Sequence, residues 1–227
     1  MKIQNEIILA IDTASTSGLV TAFNREQILA EQALKQKMSH ATLLCGAIEN
    51  VEKNLISQGL KISCVAVGLG PGSFVGLRIA MATALGFSFG RKLPLMGFCS
   101  HRALASSIQS LNKNYTIAMK ASGDWCYVTR YENISNNLIE TSAPEELLKD
   151  NIFSSTSADS LIITDLSFAK ENQFSFTPIL GPNAIGIKEA FWNRISFLGE
   201  IQDESDKLRP NYVRAPSVTI KSQNAQV

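Results

Sequence analysis

The residues best suited to chemistry are Gly70-Pro71-Gly72-Ser73, which follow the apolar, β-branched run Val65-Ala66-Val67-Gly68. Glycines open backbone angles closed to other residues and let another group come close to the main chain. Ser73 is placed to cap a helix beginning at Phe74, and the first amides past a cap are donors in need of acceptors. A helix start of this kind attracts anions, phosphate above all. Gly70, Gly72, Ser73, Gly76 and Arg78 are therefore candidate phosphate- or nucleotide-loop residues. Asp12 and Thr13 join them, at the end of the apolar run Ile7 to Ile11. An Asp there can hold a metal-bound water or a ribose, and it can equally bond the amides of its own turn.

Other chemistries lack their parts. His40 and His101 are the two histidines, and neither accompanies a Gly-x-Ser-x-Gly elbow. No Gly-Lys-Ser or Gly-Lys-Thr follows a glycine run, so the Walker pattern is missing. No carboxylate pair stands out for acid and base work, and no residues are assigned as catalytic or as metal ligands. Cys45, Cys64, Cys99 and Cys126 are scattered without a CxxC pair, which suggests small buried hydrophobes in a reducing compartment.

The elements that must position these residues follow from periodicity. Ile7 to Ile11, Gly18 to Phe23 and Gln27 to Ala33 read as a three-strand meander. Ser39 to Gln58 reads as a helix with Ala41, Leu44, Ile48, Val51 and Leu55 on one stripe, widened by Leu43 and Ala47. Phe74 to Gly90 reads as a helix crowded with small residues. Leu93 to Phe98 gives a strand and Ser100 to Ser110 a short helix, which together mark an α/β fold with a mixed sheet. The largely polar stretch Leu111-Asn112-Lys113-Asn114 suggests a boundary between lobes spanning 1–110 and 111–227. Tyr115 to Met119, Trp125 to Tyr131 and Leu161 to Thr164 read as strands of the second lobe. Pro144 to Lys149 and Asn183 to Phe197 read as its helices, and the tail from Lys207 to Val218 as irregular chain, folding back on the first lobe.

With 227 residues, 45% of them hydrophobic, a sizeable core is available. The net charge of +1 neither demands nor forbids a nucleic-acid partner. No signal peptide is visible, since Asp12 cuts short the first apolar run, and Ile79 to Gly90 is too short to span a bilayer. A cytoplasmic protein with no membrane partner is the expectation. The basic tail residues Lys207, Arg209, Arg214 and Lys221 lack interleaved aromatics apart from Tyr212, which makes direct nucleic-acid binding the weaker reading.

Taken in order, three blocks resemble the bacterial TsaB family, also called YeaZ. They are Ile8 to Ala14, Gly68 to Arg78 with its Gly-Pro-Gly-Ser-Phe-x-Gly-x-Arg core, and Leu93 to Gly97. The tail Pro210-Asn211-Tyr212-Val213-Arg214 looks like that family's closing signature. The resemblance implies an α/β fold of the actin-like, Hsp70 and sugar-kinase type, with two ribonuclease-H-like lobes whose mixed sheets are flanked by helices. It implies a non-catalytic scaffold in making N6-threonylcarbamoyladenosine at position 37 of ANN-decoding tRNAs. The implied partners are the transferase paralogue TsaD and the ATPase TsaE, with TsaC supplying the adenylate, a homodimer in isolation, and tRNA reached through the complex. ATP or ADP at the joint with TsaD is the one cofactor implied.

TsaD-like enzymes hold metal with two histidines four apart; here His101 is followed by Ala105. Lys120-Ala121-Ser122 stands where the family commonly has Asp-Ala-Arg. The first-lobe helices supply the expected partner surface, on Ala41, Leu44, Ile48, Val51, Leu55, Leu77, Ala80 and Ala84. The alternative is an ATP-using phosphotransferase of the same fold, acting through Asp12 and the Gly70 to Gly76 loop.

Overall fold

The computed structural model describes residues 6–34, 40–108, 114–134, 137–156, 160–165, 177–179 and 181–213. Its first half runs β1 (Ile8–Asp12), β2 (Leu19–Phe23), β3 (Ile28–Ala33), α1 (His40–Ser57), β4 (Cys64–Gly68), α2 (Phe74–Arg91), β5 (Leu95–Phe98) and α3 (Ser100–Ser106). These strands form one sheet in the order β3-β2-β1-β4-β5. The meander is antiparallel, while β4 and β5 add in parallel beside β1, each reached by a helical crossover.

Both faces of this sheet are covered, which is why its central strands read as unbroken apolar runs. Alternation sorts their residues. Leu9, Ile11, Val65 and Val67 meet α1 and α2 on one face. Ile8, Ala10, Cys64 and Ala66 face the other way.

The second half contains β6 (Asn114–Lys120), β7 (Trp125–Ile134), β8 (Asn137–Glu140), β9 (Glu145–Leu148), α4 (Asn151–Ser154), β10 (Ser160–Thr164), β11 (Thr177–Pro178) and α5 (Ala184–Leu198). Its sheet runs β11-β10-β6-β7-β8, with β9 also paired to β7. The central strand β6 has parallel β10 on one side and antiparallel β7 on the other. β1 holds the same place in the first sheet, so one topology occurs twice.

Several expectations change here. Pro144 to Lys149 was expected as a helix, but Glu145–Leu148 is a strand. Cross-strand pairing with Trp125 to Val128 outweighs the helical propensity of so short a segment, and it packs Leu147 onto the second sheet. The division at residue 110 describes the two sheets but not the path of the whole chain. Helix α5 lies on the first sheet, where Phe191 meets Phe23 edge-on at 5.8 Å and the Trp192 indole donates to the Asn24 carbonyl. The stretch after α5 also folds onto the first sheet: the Glu204 amide bonds the Leu95 carbonyl, and Leu208 enters the core. Among the cysteines, Cys64 and Cys126 are buried, Cys99 is partly buried, and Cys45 is exposed on α1. His40 opens α1, and its side chain lies outside the described residues, as do Arg214 and Lys221.

Candidate functional site: a packed glycine loop and an exposed helical face

Asp12 ends β1 fully buried. Its Oδ1 accepts from the Ala14 amide at 3.0 Å and its Oδ2 from the Ser100 hydroxyl at 2.6 Å. Ser100 Oγ in turn accepts from the Gly70 amide at 3.1 Å. One serine therefore ties the end of β1 to the glycine loop and to the start of α3. Burial pushes the Asp12 carboxyl up from 3.8 to about 6, against the opposing pull of the Ser100 and Ala14 donors. Of the two sequence readings of Asp12, its own turn amide at Ala14 is present, and Ser100 is a partner the sequence did not announce.

The glycine loop packs on the β1 turn at main-chain distance. Thr13 Oγ1 donates to the Gly76 carbonyl at 2.7 Å, and the Ser73 amide donates to the Ala14 carbonyl at 2.7 Å. A Cβ on Gly76 would stand 2.0 Å from the Thr13 carbonyl oxygen, and one on Gly72 2.4 Å from that of Ala14. Gly70, at φ +93°, adopts a backbone conformation that favours glycine, and the Gly70–Pro71 bond is cis. Ser73 caps α2 as its sequence position suggests, accepting from the Gly76 amide at 3.1 Å. The Gly70, Ser73 and Gly76 amides are thus bonded to the protein's own groups, and Gly72 and Gly76 serve close packing on the β1 turn. These residues do not fit a phosphate lodged between the loop and β1. The Gly181-Pro182 turn presses on the next segment, where a Cβ on Gly181 would meet the Ser17 carbonyl oxygen at 2.3 Å.

His101 is buried with its Nδ1 2.8 Å from Thr129 Oγ1, while Nε2 has no hydrogen-bond partner. Burial pushes it down from 6.5 to about 3, so it is neutral near pH 7. Among the described residues no group of three or more His, Cys, Asp or Glu could hold a metal ion. No helix among them is long and apolar enough to cross a membrane.

The residues expected to form a partner surface lie mostly in the core. Leu44, Ile48, Val51, Leu55, Leu77, Ala80 and Ala84 are all buried in the chain's own core, and of the eight candidates only Ala41 is exposed. Their stripe packs on the first sheet, so a partner could reach most of them only by unfolding the chain. The outer face of α2 is exposed and apolar, while that of α1 carries Glu49, Asn50, Lys53 and Asn54. Along α2 run Val75, Ala82, Leu85, Gly86 and Phe89, with Val75 64% and Phe89 88% exposed. Between α1 and α2 lies a groove of about 510 Å³ lined by Cys45, Ile48, Ala82, Gly86 and Phe87, with Glu49 and Glu52 along the α1 side. Arg91 bonds Glu52 at 2.8 Å across the two helices. Helical spacing in α2 could have revealed this second stripe, but small and apolar residues occupy the whole circumference and hide which side is core.

Arg78, read from the sequence as a phosphate ligand, points elsewhere. Its guanidinium lies 3.8 Å from the centre of the Phe74 ring, and its Nε donates to the Tyr212 hydroxyl at 3.3 Å.

A sheet topology used twice, with helices on the sheet faces, is that of the ribonuclease-H-like, actin-like α/β fold. The family described as "TsaD: tRNA N6-adenosine threonylcarbamoyltransferase" matches residues 27–210. The "tRNA threonylcarbamoyladenosine biosynthesis protein TsaB" of Haemophilus influenzae is 24% identical over 229 residues, covering 93% of this chain and 94% of its own length. Its Escherichia coli counterpart is 27% identical over 147 residues, 64% of this chain and 63% of that protein. The solved structure titled "YeaZ from Pseudomonas aeruginosa" superposes with a TM-score of 0.73 at 17% identity, covering 91% of this chain and 99% of that one. The chain belongs to this TsaD family, in its TsaB (YeaZ) branch.

Proposed function

We propose that this chain serves tRNA threonylcarbamoyladenosine biosynthesis as a non-catalytic docking subunit, binding the transferase paralogue TsaD and, with it, the ATPase TsaE. The observation that carries this reading is the pairing of a glycine loop packed on the β1 turn with an exposed apolar face on α2. The Gly70, Ser73 and Gly76 amides are bonded internally, while the small-residue groove of α1 and α2 faces solvent. Gly86 has open space beyond it, so another helix can approach its main chain closely. An exposed apolar patch of this kind marks a protein interaction site. In isolation the same face pairs two copies, and the homodimer competes with the working complex. The tRNA is reached through the assembly, and any ATP or ADP sits at the joint with TsaD rather than against the Gly70 loop.

The competing phosphotransferase reading would need a phosphate to displace the contacts of Gly72 and Gly76 with the β1 turn. Depletion of the protein in its own cell is the test. Loss of N6-threonylcarbamoyladenosine from bulk tRNA, restored by the wild-type chain and not by Gly86→Arg, is the expected result. Normal nucleoside levels after depletion would end the proposal.

A further inference from the structure

The closing segment carries a feature that the docking reading leaves unused. After α5 the chain runs along the outer edge of β5. Asp203 Oδ1 accepts from the Leu95 amide at 3.1 Å, and Glu204 Oε2 accepts from the Gly97 amide at 3.1 Å. Leu208 then anchors in the first core, and the Asn211 amide donates to the Leu69 carbonyl at 2.7 Å, one residue before the glycine loop. Tyr212 follows on this strap, with its ring centre 5.1 Å from that of Phe74. Its hydroxyl accepts from Arg78 Nε.

Arg78 is exposed and continues the outer stripe of α2, since residues 75, 78, 82, 85 and 89 recur at helical spacing. Among the described residues no carboxylate pairs with it, whereas Arg91 at the far end of the helix is bonded to Glu52. Two aromatic residues from distant parts of the sequence thus hold one unneutralised guanidinium at the rim of an apolar face. Holding it reduces the side-chain entropy lost when a partner pairs with it.

We infer that Arg78 is a specificity-determining residue of the α1–α2 docking face, pairing with a carboxylate of the protein partner, and that Tyr212 is its positioning residue. The inference rests on the docking reading above and deepens it. The apolar groove supplies contact area, and Arg78 selects an acidic side chain opposite the first turns of α2. The segment after α5 thereby sets up a surface built 134 positions earlier in the sequence.

Calorimetric titration of the full chain against the TsaD-type protein of the same cell tests this, with thermal unfolding run on every variant. Arg78→Gln should weaken association by about tenfold and flatten its dependence on salt, with the unfolding temperature unchanged. Arg78→Lys should stay weaker than wild type, because an ammonium keeps the charge and loses the planar fork. Tyr212→Phe keeps the ring but loses the hydroxyl, and should weaken association by a smaller factor. Wild-type affinity in Arg78→Gln and Tyr212→Phe would overturn the inference and leave the docking reading standing. Full rescue by Lys would overturn the positioning role of Tyr212. No association even of the wild-type chain would remove the docking reading and this inference together. If Arg78→Gln bound the protein normally but lost retention on tRNA, the guanidinium would serve a phosphate, and the inference would again be wrong.

Discussion

Replacing Asp12 by Asn should stabilise the protein at neutral pH and leave it unaffected in mild acid. Asp12 rises from 3.8 to about 6 on folding, so between those values the folded state holds a proton that the unfolded state has released. Stability from this group is therefore fullest below about pH 4, falls as pH rises, and levels off above about pH 6. At about 1.4 kcal/mol per pH unit, keeping the charged carboxylate buried at pH 7 costs about 3 kcal/mol. Asn removes the charge and keeps an acceptor for the Ala14 amide, but it can present an NH2 to the Ser100 hydroxyl. That mismatch returns about 1 kcal/mol, leaving a gain of about 2 kcal/mol. For a chain of this size the unfolding temperature should rise by roughly 4 to 8 °C at pH 7. At pH 4.5 wild-type Asp12 already carries its proton, and the difference should shrink below about 1 kcal/mol. Circular-dichroism melts of both proteins from pH 4 to 8 measure this. An Asn variant less stable than wild type by the same margin at every pH would refute the reasoning, since it would make the carboxylate a net structural bond.

Gly76→Ala places a methyl against the Thr13 carbonyl oxygen and should destabilise by about 3 kcal/mol, seen as a lower melting temperature. Ala84→Asp buries an unpaired charge and should abolish folding, whereas Phe89→Ser on the outer face of α2 should shift stability by less than about 0.5 kcal/mol in chemical denaturation. His101 falls from 6.5 to about 3 on folding, so its contribution is full above about pH 6.5 and is lost as pH falls toward 3. Asp12 runs the other way between pH 4 and 6, so the acid loss should show cleanly in the Asp12→Asn background and vanish when His101→Gln is added.

Local chemistry was legible wherever the partner was near in sequence. The Ser73 cap and the β4-turn-α2 unit stand in the structure as their residues suggest, because strand, turn and cap are neighbours. The role of the glycines was not legible. Whether Gly72 and Gly76 admit a phosphate or their own chain depends on Thr13 and Ala14, some 60 residues away. Ser100 was missed for the same reason, since nothing around it announces a bond to Asp12 across 88 positions. The α1 stripe was read correctly as a face and wrongly as a partner's face. Leu44 and Val51 look alike to the first sheet and to a neighbour, and only the packed sheet decides. In α2 both sides are small and apolar, so Ala80 and Ala84 went to the core and Ala82 and Gly86 to solvent without a sequence cue. Glu145–Leu148 became a strand because β7 offered it an edge, a contact no local propensity records.

The most direct measurement of the docking account is a reconstituted modification assay. It combines this chain, the TsaD-type and TsaE-type proteins, ATP, threonylcarbamoyl-adenylate and an ANN-decoding tRNA, and reads the modified nucleoside by mass spectrometry. The chain alone should yield no product, the full set should yield it, and substituting Gly86→Arg, whose side chain would fill the α1–α2 groove, should remove it while the chain stays folded. Product from the lone chain, or undiminished product with the groove filled, would contradict the account.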